Sequence, residues 1–404
     1  MIKVQIIESD ICYCLKFLLI PLHYLCLFMN PSKTNGFKSN IIFKISKLLL
    51  ALTSGLFGIR FLANLFYNNS NEVMNFGFAC ENLRATMSCT ANALTFYWIM
   101  KQEKMIYQLI SMANQFYYQL NTSIKKQLRN KIIKKSIVLS TLGLVRLVFF
   151  YSTTSDWNTK YYFKRLLFNV QFKNDSIGKL VMGIDYTIFL ILCELKLLLV
   201  LFYISLCYFI NTKMEQFNEA IENLNGKTFA KCEKRILIMK KLVKLHSSII
   251  VMIKHLELTF SKLATLWLFD FLFASFYYLP LVAKQFGHHI KPDGISKAIE
   301  LWFHLYLLIS LNLSMSDINL SLKNKASSFY IYYCTFNPSN TDERHYCNLL
   351  LNNLKHPVIA LTGSHYITPS RETILTASSV LLTYGVLMYQ IFPDFFKSTE
   401  DWAG

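Results

Sequence analysis

The sequence predicts an all-α membrane protein with seven transmembrane helices, a cytoplasmic N-terminus, an extracellular C-terminus and long cytoplasmic helical extensions. Two properties of the composition indicate the membrane. Of the 404 residues 53% are hydrophobic, and the mean hydropathy is +0.32. A soluble domain of this size is less apolar. Seven apolar segments give the number of spans, and the placement of Lys and Arg between them gives the orientation.

The net charge of +18 has two explanations, binding of nucleic acid or a basic cytoplasmic face. We favour the second, because Lys and Arg accumulate in the cytoplasmic loops of membrane proteins, and we expect no nucleic-acid partner. The 10 Cys lack the spacing of a metal site, and most fall in spans or basic loops, which predicts free thiols. Phosphate loops, paired motif carboxylates and nucleophile elbows are absent from the sequence, so we expect no enzyme and no cofactor.

Residues 1–47 are predicted to form a cytoplasmic N-terminal segment. An apolar run at 15–29 is broken by Pro21, and it follows Glu8 and Asp10 rather than a basic start. A secretory signal peptide begins with basic residues and ends at a small-residue cleavage site. An amphipathic or re-entrant segment on the inner face therefore explains this run better than a signal peptide does.

Residues 48–316 are predicted to form a ligand-binding bundle of six spans with cytoplasmic extensions. Apolar residues recur every three to four positions from Ile236 onward, which predicts one long helix that enters the membrane from a basic region. A further helix is expected at 342–354, within a cytoplasmic segment at 317–368. The six spans are placed at about 48–67, 73–100, 136–155, 180 to beyond 210, 263–283 and 301–316.

The seventh span is predicted at 369–393, followed by an extracellular tail at 394–404. The stretch 373–393 contains 21 residues and no charge, which is enough for a helix to cross a hydrocarbon core of about 30 Å. Thr368 and Pro369 precede it. Thr is a good N-cap and Pro is favoured in the first turn, so these two residues indicate the start of a helix.

The distribution of basic residues orients the spans. The second and fourth connections contain eight Lys and Arg each, whereas the first contains none, the third five and the fifth only Lys291. Glycosylation acceptor patterns at Asn68 and Asn174 also fall in the first and third connections. The N-terminus is therefore predicted to be inside. A G-protein-coupled receptor has the reverse orientation, and a transporter built from two related halves would show a duplication that this sequence lacks.

The last span contains Thr383 and Tyr384, five further residues and then Gln390. This pattern resembles the C-terminal signature of insect gustatory receptors, although Ile391 stands where phenylalanine is usual. Upstream, the run of small and aromatic residues at 360–366 is similar to the segment that precedes the last helix in that family. The resemblance covers about 35 residues in sequence and the whole chain in layout. Gustatory and odorant receptors are branches of the insect chemoreceptor superfamily, and the motif favours the gustatory branch.

The resemblance implies a tastant-gated, non-selective cation channel in the plasma membrane of sensory neurons, in dendrite, axon or cell body. It implies a small-molecule tastant and a homo- or heterotetramer with other gustatory receptors, embedded in a lipid bilayer. The last helix of each subunit would line the pore, with Leu387, Gln390 and Ile391 as candidate pore and gate residues. The alternatives are an odorant receptor subunit of the same superfamily, and a transporter or non-channel receptor.

Ionisable and polar residues within the spans are the candidates for ligand binding, because such groups face a bundle interior or a wet cavity. Counted inward from the outer ends, five of them lie roughly 10–15 Å deep: Glu81, Arg146, Asp185, Tyr278 and His304. In the functional interpretation they line a tastant site that opens outward. In the structural interpretation Arg146 pairs with Asp185 or Glu81 and holds helices together. Asp270, deeper in the fifth span, could be a further interhelical partner.

Overall fold

A computed structural model describes residues 37–67, 76–154, 175–226, 232–285, 292–335, 341–355, 361–362 and 368–391. The regular structure within these ranges is α-helical throughout, which confirms the predicted fold class. The apolar run at 15–29, both acceptor Asn residues and the tail at 394–404 lie outside them. The helices are α1 (Phe37–Tyr67), α2 (Phe76–Lys101), α3 (Glu103–Tyr118), α4 (Thr122–Thr154), α5 (Asp175–Gly226), α6 (Cys232–Gln285), α7 (Pro292–Thr335), α8 (Thr341–Lys355) and α9 (Arg371–Ile391).

Three helices are much longer than a bilayer is thick. Helices α5, α6 and α7 contain 52, 54 and 44 residues, whereas about 20 residues cross a hydrocarbon core. The predicted helical extensions are therefore continuous with the spans. The single helix expected from Ile236 onward is confirmed by α6, and the helix expected at 342–354 is confirmed by α8.

Two regions are more helical than the sequence predicted. The polar stretch between the second and third spans contains α3 and the first turns of α4. Helix α3 buries one apolar face, whose members are Ile106, Leu109, Ile110, Ala113, Phe116 and Tyr117. Their spacing of three to four residues gives the helix a side that packs against α5 and α6. Helix α7 likewise continues to Thr335, past the predicted end of the sixth span at 316.

Helix α5 forms the centre of the bundle. Every residue from 199 to 210 is buried, so three turns of the helix are covered on all sides. It contacts α1, α2, α3, α4, α6 and α7. Aromatic side chains fill the interface with α6, where the rings of Tyr203 and Phe260 lie 5.3 Å apart. The polar groups described below surround the N-terminal half of this central helix.

The outer surface of the bundle suits a membrane. Helix α1 exposes a row of large apolar side chains, including Leu49, Leu52, Leu56 and Ile59, and a soluble monomer rarely exposes such a surface. Among the described residues, three stretches are long and apolar enough to cross a bilayer: Ile45–Asn64, Gly183–Glu222 and Gly294–Leu322. The chain is a multi-pass membrane protein, and its seven-span count and orientation stay predictions.

Candidate functional site

The first polar cluster in the bundle is centred on Arg146 of α4. Its Nε donates a short hydrogen bond to Oε1 of Glu300 on α7, and its Nη1 lies 3.9 Å from Oε1 of Glu194 on α5. The Nδ1–H of His304 donates to the backbone carbonyl of Glu300 at 2.8 Å, one turn earlier in α7. We call Arg146, Glu194, Glu300 and His304 the Arg146 cluster. It joins three helices through charge-assisted hydrogen bonds, which are the stronger kind.

A glycine allows α4 to approach this cluster. Gly143 lies one turn before Arg146, and a Cβ placed on it would be 3.2 Å from Oε2 of Glu194. Any larger residue would push the carboxylate of Glu194 away from α4. The sequence thus gives α4 a small residue at the point where a carboxylate of α5 packs against it.

The second polar cluster is an ion pair between Lys196 of α5 and Asp270 of α6. The Nζ of Lys196 lies 2.6 Å from Oδ2 of Asp270, and both side chains are 6% exposed. Lys196 is also 3.4 Å from Oγ of Ser88 on α2. The prediction that Asp270 is an interhelical partner is confirmed.

A small cavity separates the two clusters. Its volume available to the centre of a water molecule is about 20 Å³, which is room for water but not for an organic ligand. Phe303 lies beneath the guanidinium of Arg146, whose Cζ is 5.0 Å from the ring centroid. The wall combines two cations, two phenylalanine rings, a hydroxyl and an imidazole, from Arg146, Lys196, Phe271, Phe303, Ser88 and His304. In a wider cavity these groups would contact a small molecule that has a flat apolar face and hydrogen-bond acceptors.

The five sequence-predicted ligand residues differ in their distance from the cavity. Arg146 and His304 line the cavity. Tyr278 lies behind it, with its ring centroid 5.8 Å from that of His304. Glu81 and Asp185 are not part of the cavity wall.

Arg146 and Asp185 each have a different partner from the predicted one, and a pairing of Arg146 with Glu81 stays a prediction. Arg146 is bound by Glu300 and Glu194, and Asp185 accepts a hydrogen bond of 2.9 Å from Arg60 of α1. The cause is helix geometry. Positions 185 and 194 are nine residues apart, which at about 100° per residue places them on opposite sides of α5. Asp185 therefore faces α1, and Glu194 faces α4.

Several residues in and around the site were not assigned to it from the sequence. Glu300 lies one residue before the predicted start of the sixth span, so it was not treated as intramembrane. Lys196 is a charged residue within an apolar stretch, which indicates an interior position but does not identify its partner. Arg84 of α2 lies over the ring of Tyr278 at 5.1 Å, a contact that requires the packing of α2 against α6.

The last helix, α9, packs on α6 through a close contact. A Cβ on Gly385 would lie 2.7 Å from Cδ2 of Leu279, so a larger residue here would displace the Leu279 side chain. The ring of Tyr384 meets that of Phe276 edge to face at 4.8 Å. These contacts fix the face of α9 that is turned toward its own subunit.

The remaining faces of α9 are exposed in the single chain. Leu387 is 46% exposed and Val386 is 55% exposed, and Gln390 is also exposed. The side chain of Ile391 is outside the described residues. Exposure alone therefore does not distinguish the predicted pore stripe from the neighbouring face of the helix.

A short segment before α9 is bound to α6 and α7. The backbone N–H of Thr362 donates to Glu257 at 2.9 Å, and its hydroxyl donates a short hydrogen bond to the same carboxylate. Asn319 accepts from the N–H of Leu361 at 2.8 Å and donates to the carbonyls of Leu361 and Pro369 at 3.0 and 3.3 Å. We call residues 361–362 the strap. It connects the extensions of α6 and α7 to the start of the last helix.

Comparison with solved structures shows the same fold in an insect receptor. The chain is similar to the insect olfactory receptor OR5 from Machilis hrabei, with a TM-score of 0.68, 14% sequence identity, and coverage of 95% of this chain and 100% of that chain. The structure of the same receptor in complex with eugenol gives equal values. No protein-family model matches the sequence, and no curated protein matches it. The chain therefore has the fold of this olfactory receptor.

Proposed function

We propose that the chain is a gustatory receptor, a subunit of a tastant-gated, non-selective cation channel in the plasma membrane of insect sensory neurons. The observation that supports a chemoreceptor is the fold, shared over 95% of the chain with a receptor also solved in complex with a small molecule. The gustatory branch rests on Thr383, Tyr384 and Gln390 in the last helix. The channel is a tetramer of this chain, alone or with other gustatory receptors.

The tastant site in this proposal is the cavity between the Arg146 cluster and the Lys196–Asp270 pair. Because the cavity is only large enough for water, a tastant must displace side chains to enter. Phe271 and Phe303 supply flat apolar faces, and Arg146, Lys196 and His304 supply hydrogen-bond donors. Two phenylalanines and several donors fit a compact molecule with acceptor oxygens.

Helix α6 provides the mechanical link from this site to the pore. Asp270 and Phe271 lie at the cavity, and five residues further on Phe276 contacts Tyr384 of α9, with Leu279 against Gly385. A rigid helix transmits a displacement over this distance, about 10 Å, without an intervening loop. Widening the cavity therefore moves the face of α6 against which α9 packs.

In the open channel α9 lines the pore, with Leu387 and Ile391 closing it by dewetting and Gln390 forming an uncharged ring. Leu387 and Gln390 are exposed in the single chain and so is Val386, so substitutions must separate the two faces of the helix. Single Cys substitutions at 387, 390 and 391 should allow block by a water-soluble thiol reagent during activation, whereas Cys at 386 or 389 should have little effect. Equal modification at all five positions would exclude α9 as the pore lining.

Substitution of Arg146 tests the tastant site. The matched control is Arg60, because both arginine side chains are 11% exposed and bind carboxylates, but Arg60 pairs with Asp185 away from the cavity. Arg146→Ala should abolish the tastant response or shift it to higher concentration at normal surface expression, and Arg60→Ala should leave the response at its wild-type concentration. A third variant, Phe303→Leu, reshapes the cavity without removing charge and should also shift the response.

The result that contradicts this proposal is a wild-type tastant response in Arg146→Ala and Phe303→Leu. If only Arg146→Ala loses surface expression, Arg146 serves helix packing. The tastant response of Phe303→Leu then tests whether the cavity is the tastant site. Current recordings separate the alternative functions. An odorant receptor subunit requires a co-receptor for current, and a non-channel receptor or transporter gives no tastant-gated current.

A further inference from the structure

The beginning of α4 is a strongly basic surface next to the membrane. Residues 122–135 contain six Lys and Arg and no acidic residue, and the predicted third span begins at position 136. Lys126, Lys131 and Lys134 are exposed, and Lys135 is half-buried. The positive-inside rule places this surface at the cytoplasmic leaflet. Anionic lipids give that leaflet a negative surface potential.

Two of these lysines converge on one tyrosine of the central helix. The Nζ of Lys131 lies 4.3 Å from the ring centroid of Tyr208 on α5, and the Nζ of Lys135 lies 5.6 Å from it. Lys135 also lies 5.5 Å from the ring of Tyr306 on α7 and donates to Oγ of Ser310 at 3.1 Å. Side chains of three helices thus hold two ammonium groups in one place.

This arrangement has more positive than negative charge. Lys131 and Lys135 are four residues apart, so their like charges face each other on the same side of α4. The carboxylate that interacts with Lys135 is Asp317 of α7, which also faces Arg371 at 3.9 Å. Asp317 is thus shared between Lys135 and Arg371, and Lys131 adds a third cation beside Lys135. A bound anion would relieve the repulsion between the two ammonium groups.

We propose that Lys131 and Lys135 bind the headgroup phosphate of an anionic phospholipid at the junction of α4, α5 and α7. A phosphomonoester, as in a phosphoinositide, suits two ammonium groups because it has close to two negative charges at neutral pH. Val138, seven residues after Lys131, lies on the same side of α4 and is 43% exposed, so an acyl chain can follow it toward the membrane centre. The proposal rests on the orientation given above.

Lipid binding to the full chain tests this site without any tastant, so its failure leaves the tastant-gated channel unaffected. The purified protein is reconstituted in phosphatidylcholine with and without a small fraction of phosphatidylinositol bisphosphate, and retained lipid is measured by native mass spectrometry. Lys131→Gln/Lys135→Gln should weaken phosphoinositide binding about tenfold or more, because each lysine near an anionic surface strengthens binding about several-fold. Lys131→Arg/Lys135→Arg should retain it, and Lys131→Gln alone serves if the double variant does not fold.

The control variant Lys104→Gln/Lys126→Gln removes the same charge from exposed positions on α3 and α4. It should bind phosphoinositide as the wild type does. If both Gln double variants lose phosphoinositide binding equally, the effect is one of general surface charge and the proposed site is wrong. If phosphatidylserine binds as tightly as the phosphoinositide, the preference for a phosphomonoester is wrong. Complete displacement by soluble inositol phosphates would show that the site binds a soluble anion instead of a lipid.

Discussion

The ion pair between Lys196 and Asp270 makes a quantitative prediction about stability. Its atoms are 2.6 Å apart and both side chains are 6% exposed. At an effective dielectric constant near 20 the attraction between unit charges at that distance is about 6 kcal/mol, and desolvation of both groups offsets much of it. Removing one partner leaves the other charge buried and alone, which destabilises a protein by about 3–5 kcal/mol.

A double-mutant cycle measures this effect. Lys196→Met and Asp270→Leu should each lower the unfolding midpoint strongly, whereas the double variant should lie close to the wild type because no unpaired charge remains. The control is Arg371→Gln, whose arginine is 69% exposed and faces Asp317 at 3.9 Å. A surface pair of this kind contributes at most about 1 kcal/mol.

Thermal unfolding of the purified chain, followed by size-exclusion fluorescence in one detergent, is the assay. The two single variants should have midpoints several degrees below the wild type, with the double variant and Arg371→Gln near it. Single variants as stable as Arg371→Gln would refute the buried ion pair. A double variant less stable than either single variant would show that the two side chains act independently.

Three further predictions concern the strap, a buried thiol and the topology. Glu257→Ala and Thr362→Ala should shift the tastant response in the same direction, and the double variant should shift it by less than the sum, because both remove the hydrogen bond between the hydroxyl and the carboxylate. Additive shifts in concentration–response curves would contradict this. Burial raises the pKa of the Cys347 thiol from 9.0 to about 11, so its thiolate fraction at pH 8 is about a hundredfold lower. Alkylation of Cys347, measured by mass spectrometry, should therefore be slow until the protein is unfolded. Rapid labelling of the folded chain would refute the burial. An epitope tag after Gly404 should be labelled on intact cells and one at Met1 only after permeabilisation, and the reverse labelling would overturn the orientation.

The long helices were predictable because their periodicity is local. The apolar spacing from Ile236 onward predicted α6, and the polar but periodic stretch at 342–354 predicted α8. Helix α3 was missed although Ile106, Leu109 and Ala113 have the same spacing. The basic residues around it dominate the composition, and burial of its apolar face depends on α5 and α6.

The site was only partly predictable. Arg146 and His304 were identified because an ionisable group within a span is costly and therefore faces the protein interior or water. Their partners depend on the rotation of each helix about its axis, which tertiary packing sets. The sequence analysis grouped Asp185 with Arg146 because the two residues were predicted at the same depth in the membrane. In the structure Asp185 faces α1, and Arg146 binds Glu300, which lies at the edge of a predicted span.

The central claim is that the chain is a subunit of a tastant-gated cation channel. Whole-cell recording from cells that express this chain, alone and together with other gustatory receptors, with sugars and bitter compounds applied and G-protein signalling blocked, tests it most directly. The account predicts an inward current that is evoked by a tastant, passes Na⁺ and K⁺ alike and persists during the block. A chain that reaches the cell surface but gives no such current, or gives one that disappears when G-protein signalling is blocked, would contradict it.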